Sequence, residues 1–94
     1  MKAIVLIKFT SLNVLEGYRR LKRLASVTEA YMVYGRYDAV AMIQADTLEQ
    51  VRQIILSEIQ PIPGVIETMP CLILEDETQP ERSKQPQNTL SQSV

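Results

Sequence analysis

The chain contains no histidine. That absence removes the commonest general base, the commonest zinc ligand and the usual haem ligand. It has one cysteine, Cys71, so no internal disulfide can form, which suits a reducing compartment. Without a histidine to activate it, Cys71 reads as a small buried hydrophobe in a strand rather than a nucleophile. Charge of either sign is not in excess: the formal net charge is -1, too little to draw in nucleic acid or an acidic membrane surface. Apolar runs are short, as at Ala3–Ile7, and no signal-peptide pattern opens the chain. A membrane span is therefore not expected, and a cytoplasmic location is. Metal-ligand spacings and phosphate-cradling glycine loops are missing, so no metal and no cofactor are expected.

The remaining residues fall into a regular order. Ninety-four residues suffice for one small domain. Residues 2–9 alternate as a strand, with Ala3, Val5, Ile7 and Phe9 on one face and Ile4 and Leu6 on the other. Asn13 with Glu16 reads as a capping box opening a helix, whose stripe is Val14, Tyr18, Leu21 and Ala25, widened by Leu15 and Leu24. Gly17 weakens this helix by about 1 kcal/mol relative to alanine, unless a close approach to the sheet requires it. Arg19, Arg20, Lys22 and Arg23 make up much of the opposite face, which reads as solvated. Strands are expected over 27–34 and 38–45. Asp46 with Glu49 reads as a second capping box, leading a helix that buries Leu48, Val51, Ile55 and Ile59, with Ile54 beside them. Pro61-Ile62-Pro63-Gly64 stops that helix. Residues 65–74 form the last strand, and Pro70 within it implies an edge or a bulge. From Glu75 on little remains to bury, so residues 76–94 are expected to be a disordered tail after a domain over 1–75.

The order β-α-β-β-α-β is that of a ferredoxin-like α+β sandwich, a four-stranded antiparallel sheet with both helices on one face. The other face would then carry Ile4 and Leu6 with residues such as Met32, Met42 and Leu72, with no element of the chain to cover it. A second copy packed sheet to sheet would do so, which predicts a homodimer with a barrel-like α/β core. RNA binding on such a sheet needs aromatics at its centre, and the central strands here offer aliphatics and alanine.

Tyr34-Gly35-Arg36-Tyr37-Asp38 joins the two middle strands. Gly35 tolerates φ > 0 and Asp38 can hydrogen-bond its own backbone, which is sufficient reason for a turn. The same stretch also gathers a carboxylate, a guanidinium and two phenols. The second reading is a small-molecule site, with Asp38 and nearby backbone groups holding the ammonium and carboxylate of a zwitterion and Tyr34, Arg36 or Tyr37 lining it.

Val33-Tyr34-Gly35-Arg36-Tyr37-Asp38-Ala39-Val40, Asp46-Thr47-Leu48-Glu49-Gln50 and Ile62-Pro63-Gly64-Val65-Ile66-Glu67-Thr68 together resemble the ligand-binding domain of the Lrp/AsnC regulators. The resemblance covers residues 1 to about 75. It implies an amino acid-sensing domain that dimerises through its sheet, with dimers assembling further, commonly into an octamer of four dimers, around an effector held between them. Carried onto this chain, Gly35, Tyr37 and Asp38 match the motif, Thr68 lies in the matching last-strand segment, and Tyr34 and Arg36 occupy its variable places. Family regulators carry an N-terminal helix-turn-helix domain, whereas this sequence begins at the first strand. The expectation is therefore a stand-alone sensing and oligomerisation module without its own DNA binding, acting through assembly or through a full-length family regulator. The alternative is a cofactor-free enzyme of the dimeric α/β-barrel type, a monooxygenase or isomerase. That reading requires a polar group inside a cavity between helices and sheet.

Overall fold

The computed structural model describes residues 1–74, and the tail expected over 76–94 lies outside the described residues. Strand β1 is Lys2–Phe9, helix α1 Val14–Arg23, strands β2 and β3 Val27–Met32 and Ala39–Gln44, helix α2 Leu48–Ile54, and strand β4 Val65–Ile73. A 3-10 turn at Ser11–Asn13 precedes α1, and α2 continues as a wider π turn through Ile55–Ile59. The sheet order is β2-β3-β1-β4 with every pair antiparallel. This is the ferredoxin-like α+β fold that the order of elements predicts.

β1 lies in the middle of the sheet and alternates as its sequence does. Ala3, Val5, Ile7 and Phe9 are buried, while Ile4, Leu6 and Lys8 are half-buried on the opposite face. Ala39, Ala41 and Ile43 continue the buried face on β3, and Leu21, Val51, Ile55 and Ile59 close over it from the helices. Burying one aliphatic side chain of this size contributes roughly 1.5–3 kcal/mol. The shared alanines leave room for the helices, and Gly17 takes this further. A Cβ at Gly17 would overlap the Phe9 ring, so the glycine lets α1 pack on β1 at that ring.

The helix starts differ from expectation. The Asn13 side chain caps nothing: its Oδ1 accepts from Thr10 Oγ1 at 2.6 Å, and Glu16 pairs instead with Arg20 at 3.3 Å. At α2 the capping pair is displaced by one residue. Thr47 Oγ1 accepts from the Gln50 amide at 3.1 Å, and Gln50 Oε1 accepts from the Asp46 amide at 2.8 Å. With Thr47 as the cap, Leu48 lies in the first turn and stays exposed rather than joining the stripe. Both middle strands are shorter than predicted: the connection between them takes residues 33–38, and β3 ends at Gln44, one residue before the predicted Ala45.

The open face also differs. Cross-strand partners share a face in an antiparallel pair. Met42 and Cys71 flank Ile4, Val40 and Met69 flank Leu6, and Tyr31 lies beyond Val40. Met32 and Leu72 instead pair with Ala39 and Ala3 on the helix side, where no helix covers them fully. Cys71 is exposed on the open face, not buried. β4 is an edge strand, which accommodates Pro70 without loss of an interior ladder bond.

Candidate functional site

The β2–β3 connection is closed by the Val33 amide donating to the Asp38 carbonyl at 3.0 Å. Gly35 has φ +150, and a side chain there would meet no atom within 4 Å. Its requirement for glycine is thus conformational, set by the backbone and not by crowding. Tyr34 is fully exposed beside it. These two residues form a solvated tip.

Asp38 does not hydrogen-bond its own backbone. Its amide donates to the Ile7 carbonyl at 2.9 Å, and its Oδ2 accepts from the Phe9 amide at 2.9 Å. The carboxylate therefore extends the β1–β3 ladder beyond the end of β3 and fastens the loop to the core strand. The zwitterion reading gave this carboxylate to a ligand, but its Oδ2 is occupied by the protein.

Tyr37 reaches across the sheet. Its hydroxyl donates to Glu67 Oε2 at 2.8 Å and lies 3.7 Å from Met69 Sδ. The bond to Glu67 stabilises the protonated phenol, and burial and the Glu67 charge add to it, so Tyr37 titrates above its ordinary value. The Arg36 guanidinium, 5.9 Å from the centre of the Tyr37 ring, opposes this. The Arg36 carbonyl accepts from Lys8 Nζ at 3.3 Å.

Glu67 was not singled out from the sequence, although it stands in the Pro-Gly-Val segment. Its pairing partner across the ladder is Lys8. Between this pair and Phe9–Val65 the register shifts, which makes Ile66 the extra residue of a β-bulge. Beyond the bulge Glu67 falls on the open face and Thr68, opposite Ile7, on the helix face. Thr68 is therefore not on the hairpin's face of the sheet. It accepts from Gln60 Nε2 at 3.2 Å and borders two grooves. One, of about 240 Å³, is lined by Gln60, Val65, Ile66, Glu67 and Thr68. The other, of about 320 Å³, is lined by Arg52, Ile55, Leu56, Gln60, Thr68 and Pro70. Glu67 connects the two regions the sequence selected, holding the hairpin tyrosine while lining the groove that Thr68 borders.

The model of the Lrp/AsnC ligand binding domain matches residues 2–81. The chain belongs to this family. Among solved structures, the hypothetical protein PHS023 from Pyrococcus horikoshii is 32% identical, with a TM-score of 0.70 over 79% of this chain and 90% of that one. TTHA0845 from Thermus thermophilus is 27% identical, with a TM-score of 0.77 over 83% of this chain and 98% of that one. A transcriptional regulator from Neisseria meningitidis, NMB0573, solved in complex with L-Met, shares the fold at a TM-score of 0.72. It is 11% identical, and the match covers 83% of this chain and 52% of that one. A comparison with curated proteins finds no match. In this Lrp/AsnC domain the hairpin and the Pro-Gly-Val segment meet through one hydrogen bond, Tyr37 to Glu67.

Proposed function

We propose that this Lrp/AsnC domain senses an amino acid at the hairpin end of its sheet and reports occupancy through its assembly. The observation that carries this is the convergence of the motif tyrosine, Tyr37, on Glu67, within a family of ligand-binding domains. A structural relative solved with L-Met supports the choice of ligand class. The apolar open face supports a homodimer packed sheet to sheet, which leaves the hairpin at the sheet end, free to meet another dimer. Dimers meeting there, up to an octamer of four, would respond to a ligand in proportion to its differential affinity for the two assembly states. None of the described residues forms a helix-turn-helix, so the output attributed to them is assembly, or co-assembly with a full-length family regulator, rather than operator binding.

The enzyme reading required a polar group inside the space between helices and sheet. The core residues there, from Ala3 to Ile62, are apolar, and this favours sensing over catalysis. Calorimetric titration of the folded protein with each of the twenty amino acids tests the proposal. Binding of one or a few, accompanied by a change in sedimentation, is expected. No heat and no thermal shift with any of them would end it.

A further inference from the structure

Charge is unevenly placed in this chain, although it sums to only -1. Arg19, Arg20, Lys22 and Arg23 are four of its ten lysines and arginines, set within five residues of α1. Two of them have partners. Arg20 pairs with Glu16 at 3.3 Å, and the Lys22 ammonium lies 5.4 Å from the centre of the Tyr18 ring. Arg19 and Arg23 are exposed, and neither has a hydrogen-bond or ion-pair partner among the described residues. Cations in the last turn of a helix suit its dipole, but that effect falls off before Arg19. The complementary charge lies beyond β4. Glu75, Asp76, Glu77 and Glu81 are four of the chain's eleven acids, set within seven residues that contain no cation. The family match runs through this stretch, to residue 81.

The ladder brings the end of α1 and the end of β4 to the same end of the sheet. Lys2 pairs with Gln44 on one side and Ile73 on the other, and Val27 pairs with Ile43. The Val27 amide donates to the Leu24 carbonyl at 3.1 Å, which holds the end of α1 at the start of β2. β4 and β2 are the two edges of the sheet, three strand spacings or about 14 Å apart. Rising onto the helix layer adds about 10 Å at right angles to this. Seven extended residues span about 23 Å before their side chains are counted. Residues 75–81 are therefore long enough for Glu77 and Glu81 to meet Arg23 and, one turn back, Arg19. The route has room. A groove of about 330 Å³ runs between α1, at Arg20, Arg23 and Leu24, and the Pro61–Pro63 connection. Glu58, the acid lining it, accepts from the Ser26 hydroxyl at 3.3 Å.

We infer that the cationic face of α1 is the docking surface for the acidic segment 75–81 of the same chain, with Arg19 and Arg23 as its anchors. Arginine suits this role because its planar guanidinium takes a carboxylate through two parallel hydrogen bonds. Ion pairs at an exposed surface are weak one by one and are screened by salt. Docking therefore depends on several charges acting together and reverses with ionic strength. While the segment is in place it neutralises this face and closes it to other anionic partners. The surface is separate from the hairpin, at the opposite end of β2 and β3, and stands whatever the hairpin binds.

The test uses the full chain with a nitroxide spin label at Gln79→Cys in a Cys71→Ser background, and reads its effect on backbone amide signals by nuclear magnetic resonance. Circular dichroism checks the folding of each variant. The amides of Arg19 to Leu24 are expected to lose intensity, while those of Gly35 and Tyr37 at the other end of the sheet keep theirs. Raising salt from about 0.1 M to about 1 M shortens the screening length from about 10 Å to about 3 Å, and the α1 signals should then recover. Arg19→Glu with Arg23→Glu should abolish the effect at low salt. Adding Glu77→Arg and Glu81→Arg to that variant should bring it back, which a merely structural role for the arginines does not predict. Full α1 intensity at low salt would overturn the inference, as would a loss that survives the reversal of Arg19 and Arg23 or fails to return in the folded charge-swapped chain. A mixture of isotope-labelled chain without nitroxide and spin-labelled chain without isotope separates a chain's own segment from a neighbour's. Signal loss of equal size in that mixture would overturn docking within one chain and give the surface to a second copy.

Discussion

The Asp38 carboxylate accepts the Phe9 amide at 2.9 Å, joining the end of the hairpin to the end of the central strand across 29 residues of sequence. A buried or half-buried amide left without an acceptor costs about 1–3 kcal/mol. Asp38→Ala is therefore expected to destabilise the fold by that amount, a lower midpoint in urea at unchanged slope. Asp38→Asn keeps an acceptor oxygen and should lose less. Equal stability of wild type and Asp38→Ala would show that the bond is replaced by water at no cost.

Gly17 and Phe9 make a second coupled pair. Helix propensity alone says that Gly17→Ala gains about 1 kcal/mol. The Phe9 ring occupies the space of the new methyl, and overpacking costs typically about 1–3 kcal/mol. The net expectation is destabilisation, seen as a lower midpoint in chemical denaturation. Trimming the ring in Phe9→Leu should convert Gly17→Ala from harmful to neutral or favourable, so a double-mutant cycle should show clear coupling. Additive effects would place the ring elsewhere.

Tyr37 gives a pH signature. Its folded-state pKa is raised, chiefly by the bond to Glu67. A raised pKa contributes stability that is fully present below the ordinary tyrosine value of about 10 and is lost as pH rises through the higher folded value. Titration by ultraviolet absorbance should therefore show a late-ionising phenol that Tyr37→Phe removes and Glu67→Gln shifts down. Tyr31, raised by its own bond to Glu29, remains late in both variants and serves as the internal control.

The caps show where reading from sequence reached its limit. Asp46-x-x-Glu49 and Thr47-x-x-Gln50 are both legitimate capping boxes by spacing, offset by one residue. The choice of Thr47 depends on where the chain leaves β3, which is set by tertiary contacts. Thr47→Ala should cost about 1 kcal/mol of stability and Asp46→Ala distinctly less, a difference that thermal denaturation of the two variants resolves.

Strand order, the buried face of β1 and the helix stop at Pro61 to Gly64 were legible because period-two burial and proline chemistry are local. The roles of Asp38 and Glu67 were not. Asp38 looked like a turn former because its partner, the Phe9 amide, is distant in sequence. Glu67 appeared as one polar residue in a strand, and its face depends on the bulge at Ile66, which no residue type announces. Cys71 was misread for a related reason: a cysteine in a strand is usually buried, but in β4 it pairs with Ile4 on the uncovered face.

That position makes Cys71 a reporter for the proposed dimer. It lies on the open face beside Ile4, with Leu6, Val40 and Met69 two residues further along the ladder on the same face. In an isolated chain its thiol is accessible, and in a sheet-to-sheet dimer the partner sheet, about 10 Å away, covers it. Labelling by a thiol reagent should therefore slow as protein concentration rises through the dimer dissociation constant. Leu6→Lys places a charge at the middle of that face, and a charge buried without a partner there is strongly unfavourable. This variant should sediment as a monomer and label at one fast rate at every concentration, while Leu12→Lys, at a fully exposed site outside the sheet, should behave as the wild type. If Cys71 in the wild type labels equally fast at all concentrations, the open face is not the dimer surface.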